Sequence, residues 1–145
     1  EQLLLFWSVN SGKKVSTISA NTQHTFSEAF SPDGSMLAVS SINQTQIFSS
    51  TNGILLDTFA DHNTASQGIG VARSPDCKYI AASSRAITIY DVHTKQTVAT
   101  FGDVDSKHRI STVAWAPNNN GLVSTTVLVK DDGHFQTPVN VWKLS

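Results

Sequence analysis

Hydrophobic and polar side chains alternate along this chain in short runs, each closed by turn residues, with a period of two rather than three or four. Phe26, Glu28 and Phe30 alternate with Ser27 and Ala29, which predicts a strand over 26–30. Comparable runs predict strands over 3–8, 14–18, 36–40 and 45–48, then over 55–59, 69–73, 79–83 and 86–91. A last group is predicted over 97–101, 110–116, 122–129 and 139–142. The turn after Phe30, Ser31-Pro32-Asp33-Gly34, returns as Ser74-Pro75-Asp76-Cys77 and again, altered, as Ala116-Pro117-Asn118-Asn119. Proline presets φ for such a turn, Asp or Asn bonds the backbone ahead of it, and Gly or Asn tolerates a positive φ. Ser31 and Ser74 are 43 residues apart, and Ser74 and Ala116 are 42 apart. A period of that length signals a repeat architecture.

A second ruler agrees with the first. Trp7, Phe48, Tyr90 and Trp142 each end the last strand of a unit, at spacings of 41, 42 and 52. The surplus in the third interval falls in 130–138, which predicts a surface loop extension. Four short strands per unit is the count of a propeller blade, so the fold class expected is all-β, a β-propeller of four-stranded antiparallel blades. Residues 1–145 divide into the last strand of a preceding blade (1–8), two blades (9–49 and 50–91) and a third blade (92–145) carrying the loop at 130–138. On this division the strands over 14–18, 55–59 and 97–101 lie innermost and offer Ser16, Asp57 and Thr97 to a central channel. Propellers close with about four to eight blades. Three blades and an extra strand therefore predict part of a larger propeller, or one completed by another chain, with Leu4, Phe6 and Trp7 exposed.

These units resemble the WD40-repeat family, whose blades of ~40 to 45 residues end in Trp-Asp. Tyr90-Asp91 comes nearest to that dipeptide, while Trp7-Ser8, Phe48-Ser49 and Trp142-Lys143 keep the aromatic and not the acid. Ile110, Val113, Trp115, Ala116 and Pro117 follow the family's middle segment. The resemblance implies a rigid platform on which other proteins dock, non-enzymatic, cytoplasmic or nuclear, within a multiprotein assembly. It also has gaps. Family blades tie a His before the second strand to an Asp between the third and fourth. His24, His62 and His108 precede that strand here, but no Asp stands in 41–45 or 83–86. A second resemblance, to YVTN-type and lactonase propellers, rests on Ile87-Thr88-Ile89-Tyr90-Asp91 followed by Val98-Ala99-Thr100-Phe101, and would imply a ligand or metal in the central channel.

Composition narrows the function classes. Glu occurs only at Glu1 and Glu28, and Ser and Thr make up nearly a quarter of the 145 residues, so helix formers are scarce. A net charge of −1 with scattered Lys and Arg gives no basic field for nucleic acid. The longest apolar run, 3–7, is far short of the ~20 residues of a spanning helix, so no membrane span is expected. Cys77, the single cysteine, can form no internal disulfide. No Gly-x-Ser-x-Gly turn or Gly-rich phosphate loop is present, and the Asp and His residues lack the spacing of metal motifs. No catalytic, cofactor or metal residue is therefore assigned.

Two charges stand where the alternation expects apolar residues, Glu28 and Arg73. A buried unpaired charge is costly, and the two share a phase in successive blades, so each needs its own partner or a path to a rim. For partner binding the candidates are His108 and Arg109 with Asp131, Asp132, His134 and Phe135, which combine aromatic and cationic character on one rim. Phe135 either stands out from the surface or folds back over a sheet edge.

Overall fold

The computed structural model describes residues 2–20, 24–42, 44–60, 70–102 and 108–143. His62 and Ile69, the first residue of the strand expected over 69–73, lie outside them. The described residues hold strands and turns and no helix. A two-stranded sheet is formed by β1 (Gln2–Trp7) and β2 (Lys14–Ala20). The first four-stranded sheet runs β3 (Thr25–Phe30), β4 (Met36–Ser41), β5 (Gln44–Ser49), β6 (Leu55–Ala60). The second runs β7 (Gly70–Arg73), β8 (Tyr79–Ser83), β9 (Ile87–Asp91), β10 (Gln96–Phe101). In the third, β11 (His108–Trp115) pairs β12 (Gly121–Val129), and β12 pairs both β13 (Phe135–Gln136) and β14 (Val139–Lys143). Every pairing is antiparallel between neighbours in sequence or close to it, the meander of a propeller blade. The fold is an all-β set of blade-like sheets, which among the described residues do not close into a ring.

The repeated turn has one geometry in all three copies. The N–H of Ser31, Ser74 and Ala116 donates to the carbonyl five residues on, at 2.9, 3.0 and 2.9 Å. Gly34, Cys77 and Asn119 close the turn at φ of 71°, 62° and 64°. The carboxylate or amide oxygen of Asp33, Asp76 and Asn118 accepts the N–H two residues ahead, at 3.0, 3.0 and 3.1 Å. Turn chemistry is kept while the letters change.

Sheet boundaries differ by one strand from the unit boundaries expected at 9, 50 and 92. The strand expected to open each unit instead closes the sheet before it, because a tight turn joins it to the preceding strand. Gly53, at φ 71°, donates its N–H to Ser49 O at 2.9 Å, and Asn52 Oδ1 accepts from Ile54 N, so β6 folds straight back onto β5. The Asp91 carboxylate does the same after β9, accepting from His93 and Thr94 N–H at 2.8 and 2.9 Å. A hairpin turn of this kind keeps both strands in one sheet. The strands expected innermost therefore lie at the outer edge, and β7 packs between β3 and β11 on the inner side. Within 1–8, β1 is likewise half of a two-stranded hairpin with β2 rather than a lone strand.

The core is three seams between four sheets. Ile18 and Ala20 of β2 meet Leu37, Val39 and Phe48, with Leu4 and Phe6 against them. Ala38, Ile47 and Phe59 meet Val71, Ile80, Ala82 and Tyr90. Ala72, Ala81, Ile87 and Ile89 meet Ile110, Val113 and Leu122. The aromatic ruler marks these seams: Phe59 stacks on Tyr90 at 4.8 Å and Phe101 lies 5.0 Å from Trp142. Of the apolar residues expected to be exposed at the start, Trp7 is, but Leu4 and Phe6 are half-buried against the first seam, leaving Leu3 and Leu5 outward instead.

Candidate interaction surface

The ten-residue surplus near the C-terminal end is not a loop but an extension of a hairpin. β12 is nine residues long, and the chain turns back at 130–134 to pair β13 and then β14 along the same edge. Gly133, at φ 79°, donates to Lys130 O, and Lys130 N–H donates to His134 O, each at 2.9 Å. Asp132 Oδ1 accepts from His134 N–H at 3.0 Å, so this carboxylate helps to hold the turn. Thr126 N–H bonds Pro138 O at 3.0 Å across the break between β13 and β14.

This extension brings separated candidates together. Arg109 lies opposite Val127, and Phe135 lies opposite Val129. Residues directly opposite in a ladder share a face, as do residues two apart along a strand. Arg109, Val127, Val129 and Phe135 therefore line one face, with the strands of Arg109 and Phe135 about 9–10 Å apart across β12. The same face continues through Val123, which lies opposite Ala114 on one side and Val141 on the other, and through Thr125 beside Val139. Phe135 is 70% exposed and does not fold back. Arg109, Asp131, Asp132 and His134 are exposed, and the side chain of His108 lies outside the described residues. The loop residues border a shallow groove of about 440 Å³ lined by Leu128, Val129, Lys130, Asp131 and Asp132.

The valines on this face were not singled out from sequence. Val141 is 75% and Val139 64% exposed, whereas the equivalent Ile89 and Ile87 of the second sheet are buried at 3% and 0%. Strand alternation reads all of them alike as core. Their exposure follows only from their being on the outer side of the last sheet, which is a matter of counting sheets and not of local pattern.

Elsewhere the structure sorts the remaining candidates. Glu28 is exposed on β3, at the side of an open groove between β1 and β3 where Phe6 meets Phe30 edge-on at 6.0 Å. Arg73 is buried between sheets, and its Nη2 donates to Cys77 O at 2.9 Å. Burial lowers the guanidinium pKa, opposed by Cys77, Asp33 and Asp76 nearby. Asp57 lies on an outer strand and pairs with Lys95 Nζ at 2.9 Å, an exposed bridge of small energetic weight. Ser16, Asp57 and Thr97 thus stand on outer strands and not on the inner strands that would line a channel. Among the described residues no three of His, Cys, Asp and Glu are grouped as a metal site, and no helix is long and apolar enough to cross a membrane. Comparison with protein-family models and with curated proteins finds no match to this chain.

Proposed function

We propose that this chain is a non-enzymatic, WD40-like scaffold whose partners are other proteins in an intracellular, cytoplasmic or nuclear, assembly. The observation that carries the reading is the continuous exposed face of the third sheet, where Phe135 and Arg109 flank a ladder of valines. Contiguous apolar surface rimmed by polar groups marks interaction sites, and aromatic and Arg side chains dominate binding hot spots. The repeated Pro turn and the aromatic that ends each third strand of a blade support the WD40-like assignment.

The test is affinity capture from the native source with the wild-type chain and with Phe135→Asp. A defined set of partners held by the wild type and lost with Phe135→Asp, but kept by a change at exposed Val15 on the two-stranded sheet, supports the scaffold. Stoichiometric bound metal with ester hydrolysis in the purified protein overturns it in favour of a lactonase-type propeller.

A further inference from the structure

We infer that Cys77 is a site of oxidation by peroxide, and that Arg73 holds the oxygen it gains as a cysteine sulfenate. Two positions of the second unit depart from the pattern of the other two. Arg73 stands where Phe30 and Trp115 stand, and Cys77 stands where Gly34 and Asn119 do. The turn does not call for cysteine, since all three residues that close it lie at φ between 62° and 71°, a region that favours Gly and Asn. Nor does the strand end call for arginine, as Phe30 meets Phe6 and Trp115 stacks on Tyr79 at the equivalent places. The two departures are joined in the structure, because Arg73 Nη2 donates to Cys77 O at 2.9 Å.

The guanidinium is short of acceptors. Arg73 is 6% exposed and shares the face of Ile80, opposite it in the ladder, which packs in the seam between the first two four-stranded sheets. Its Nε and Nη1 are buried and have no hydrogen-bond partner among the described residues. No described carboxylate forms an ion pair with it either. Asp33 and Asp76 are among the charges that favour the guanidinium, after Cys77, but each is turned elsewhere. Asp33 accepts from the Ser31 and Ser35 hydroxyls, and Asp76 from the Ser74 hydroxyl and the Asn119 amide. A buried donor without an acceptor is costly, and an anionic oxygen at this place would relieve it. The residue whose carbonyl already accepts from Arg73 carries a free, half-exposed thiol. Partly exposed cysteines beside a cation are the ones that oxidise.

The oxidant is hydrogen peroxide, and the step balances. The Cys77 thiolate attacks one peroxide oxygen, an S–O bond forms as the O–O bond breaks, and hydroxide leaves. Sulfur gives up two electrons and the peroxide takes them. The hydroxide then removes the sulfenic proton, leaving sulfenate and water. The sulfenate oxygen accepts from the unpartnered Arg73 N–H groups in a charge-assisted bond. Cys77 is the single cysteine of the 145 residues, so no internal thiol converts the sulfenate to a disulfide. This inference rests on the second sheet alone and not on the scaffold assignment.

The experiment treats the 145-residue chain with stoichiometric hydrogen peroxide near neutral pH. Dimedone trapping with peptide mass counts the sulfenate, and NMR follows the side-chain N–H resonances of Arg73. Dimedone also separates Cys77 from Met36, the single methionine, whose sulfoxide it does not trap. A dimedone adduct at Cys77 is expected, with a shift of the Arg73 resonances that grows with oxidation and is absent from Cys77→Ser. In Arg73→Met the dimedone-reactive species should decay at least ~10-fold faster, the weight of one charge-assisted hydrogen bond, and Arg73→Lys should restore part of its lifetime. Oxidation of Met36 without an adduct at Cys77 overturns the site. A sulfenate that leaves the Arg73 resonances unmoved, or that lives as long in Arg73→Met, overturns the contact. If Arg73→Met does not fold, the resonances of the unsubstituted chain decide. Capture of partners is read independently, so this proposal and the scaffold reading fail separately.

Discussion

The second and third sheets share a strand plan, a turn and an apolar pattern, yet one is buried on both sides and the other on one. In β7 all four residues are buried, because β3 and β11 flank it. In β11 the burial alternates, with Val113 inside and Thr112 and Ala114 outside. The same contrast holds at Ile89 and Val141, or Ala81 and Val123, which occupy equivalent positions on the same side of their sheets. What a residue contributes to stability is therefore set by the sheet that faces it, and the alternation that builds the strand carries no information about that neighbour.

The sharpest way to break this comparison is to cut the same group from both sheets. Ile89→Ala should cost about 2–5 kcal/mol, since it opens a cavity in a seam closed by Ile110, Val113 and Leu122. Val141→Ala should stay within about 0.5 kcal/mol, as an exposed substitution does. Urea midpoints at unchanged m-value measure both. Equal losses at the two sites would mean that the outer face of the third sheet is covered after all.

A smaller effect is expected where the sheets come closest. A Cβ added to Gly70 would stand 2.7 Å from Ser83 Oγ and 3.2 Å from the Thr112 Cα and the Ser111 carbonyl, so β7 and β11 meet almost backbone to backbone. Gly70→Ala should cost about 1–3 kcal/mol through overpacking. Thr112→Ala, at the equivalent place on the third sheet but facing outward, should cost no more than about 0.5–1 kcal/mol, the weight of its exposed hydroxyl contact with Thr125 at 2.7 Å. The same urea titration separates them, and a neutral Gly70→Ala would show that the seam can widen without loss.

These contrasts also explain which parts were legible in the sequence. The strands were, since a period of two with Pro, Asp and Gly punctuation is a local signal, and the turn at Ser31 recurs with its hydrogen bonds intact. The assignment of strands to sheets was displaced by one, because the repeat period is the same wherever the cut is placed. Only the turn at Thr51-Asn52-Gly53, read as a tight hairpin connection instead of a boundary, would have placed β6 beside β5. In the binding surface, Phe135 and Arg109 were visible as an aromatic and a cation in one region. Val123, Val139 and Val141 were not, because their exposure depends on sheets that are present or absent far along the chain.

The smallest effect expected comes from acid, and it distinguishes the first two turns from the third. Asp33 is held at about 2, below the ordinary 3.8, by the Ser31 hydroxyl, then the Ser35 N–H and the Ser35 hydroxyl. Asp76 is also lowered: partial burial works against it, but the Ser74 hydroxyl, Lys78 N–H and Asn119 amide prevail. A folded-state pKa below the unfolded one gives stability that is fully present above the unfolded value and is lost as pH falls through the folded one. The first turn should therefore weaken between about pH 4 and pH 2. Asn118 cannot titrate, and Ala116 supplies no hydroxyl, so the third turn should hold through the same range. Asp33→Asn should flatten part of the acid slope of the thermal midpoint, by little because the group is exposed and screened. In Asn118→Asp the new carboxylate should titrate closer to the ordinary value than Asp33 does, as carboxyl carbon shifts against pH will read. If it titrates as low as Asp33, the turn's backbone and not the serine hydroxyl sets the shift, and the serines at 31 and 74 serve the hairpin alone.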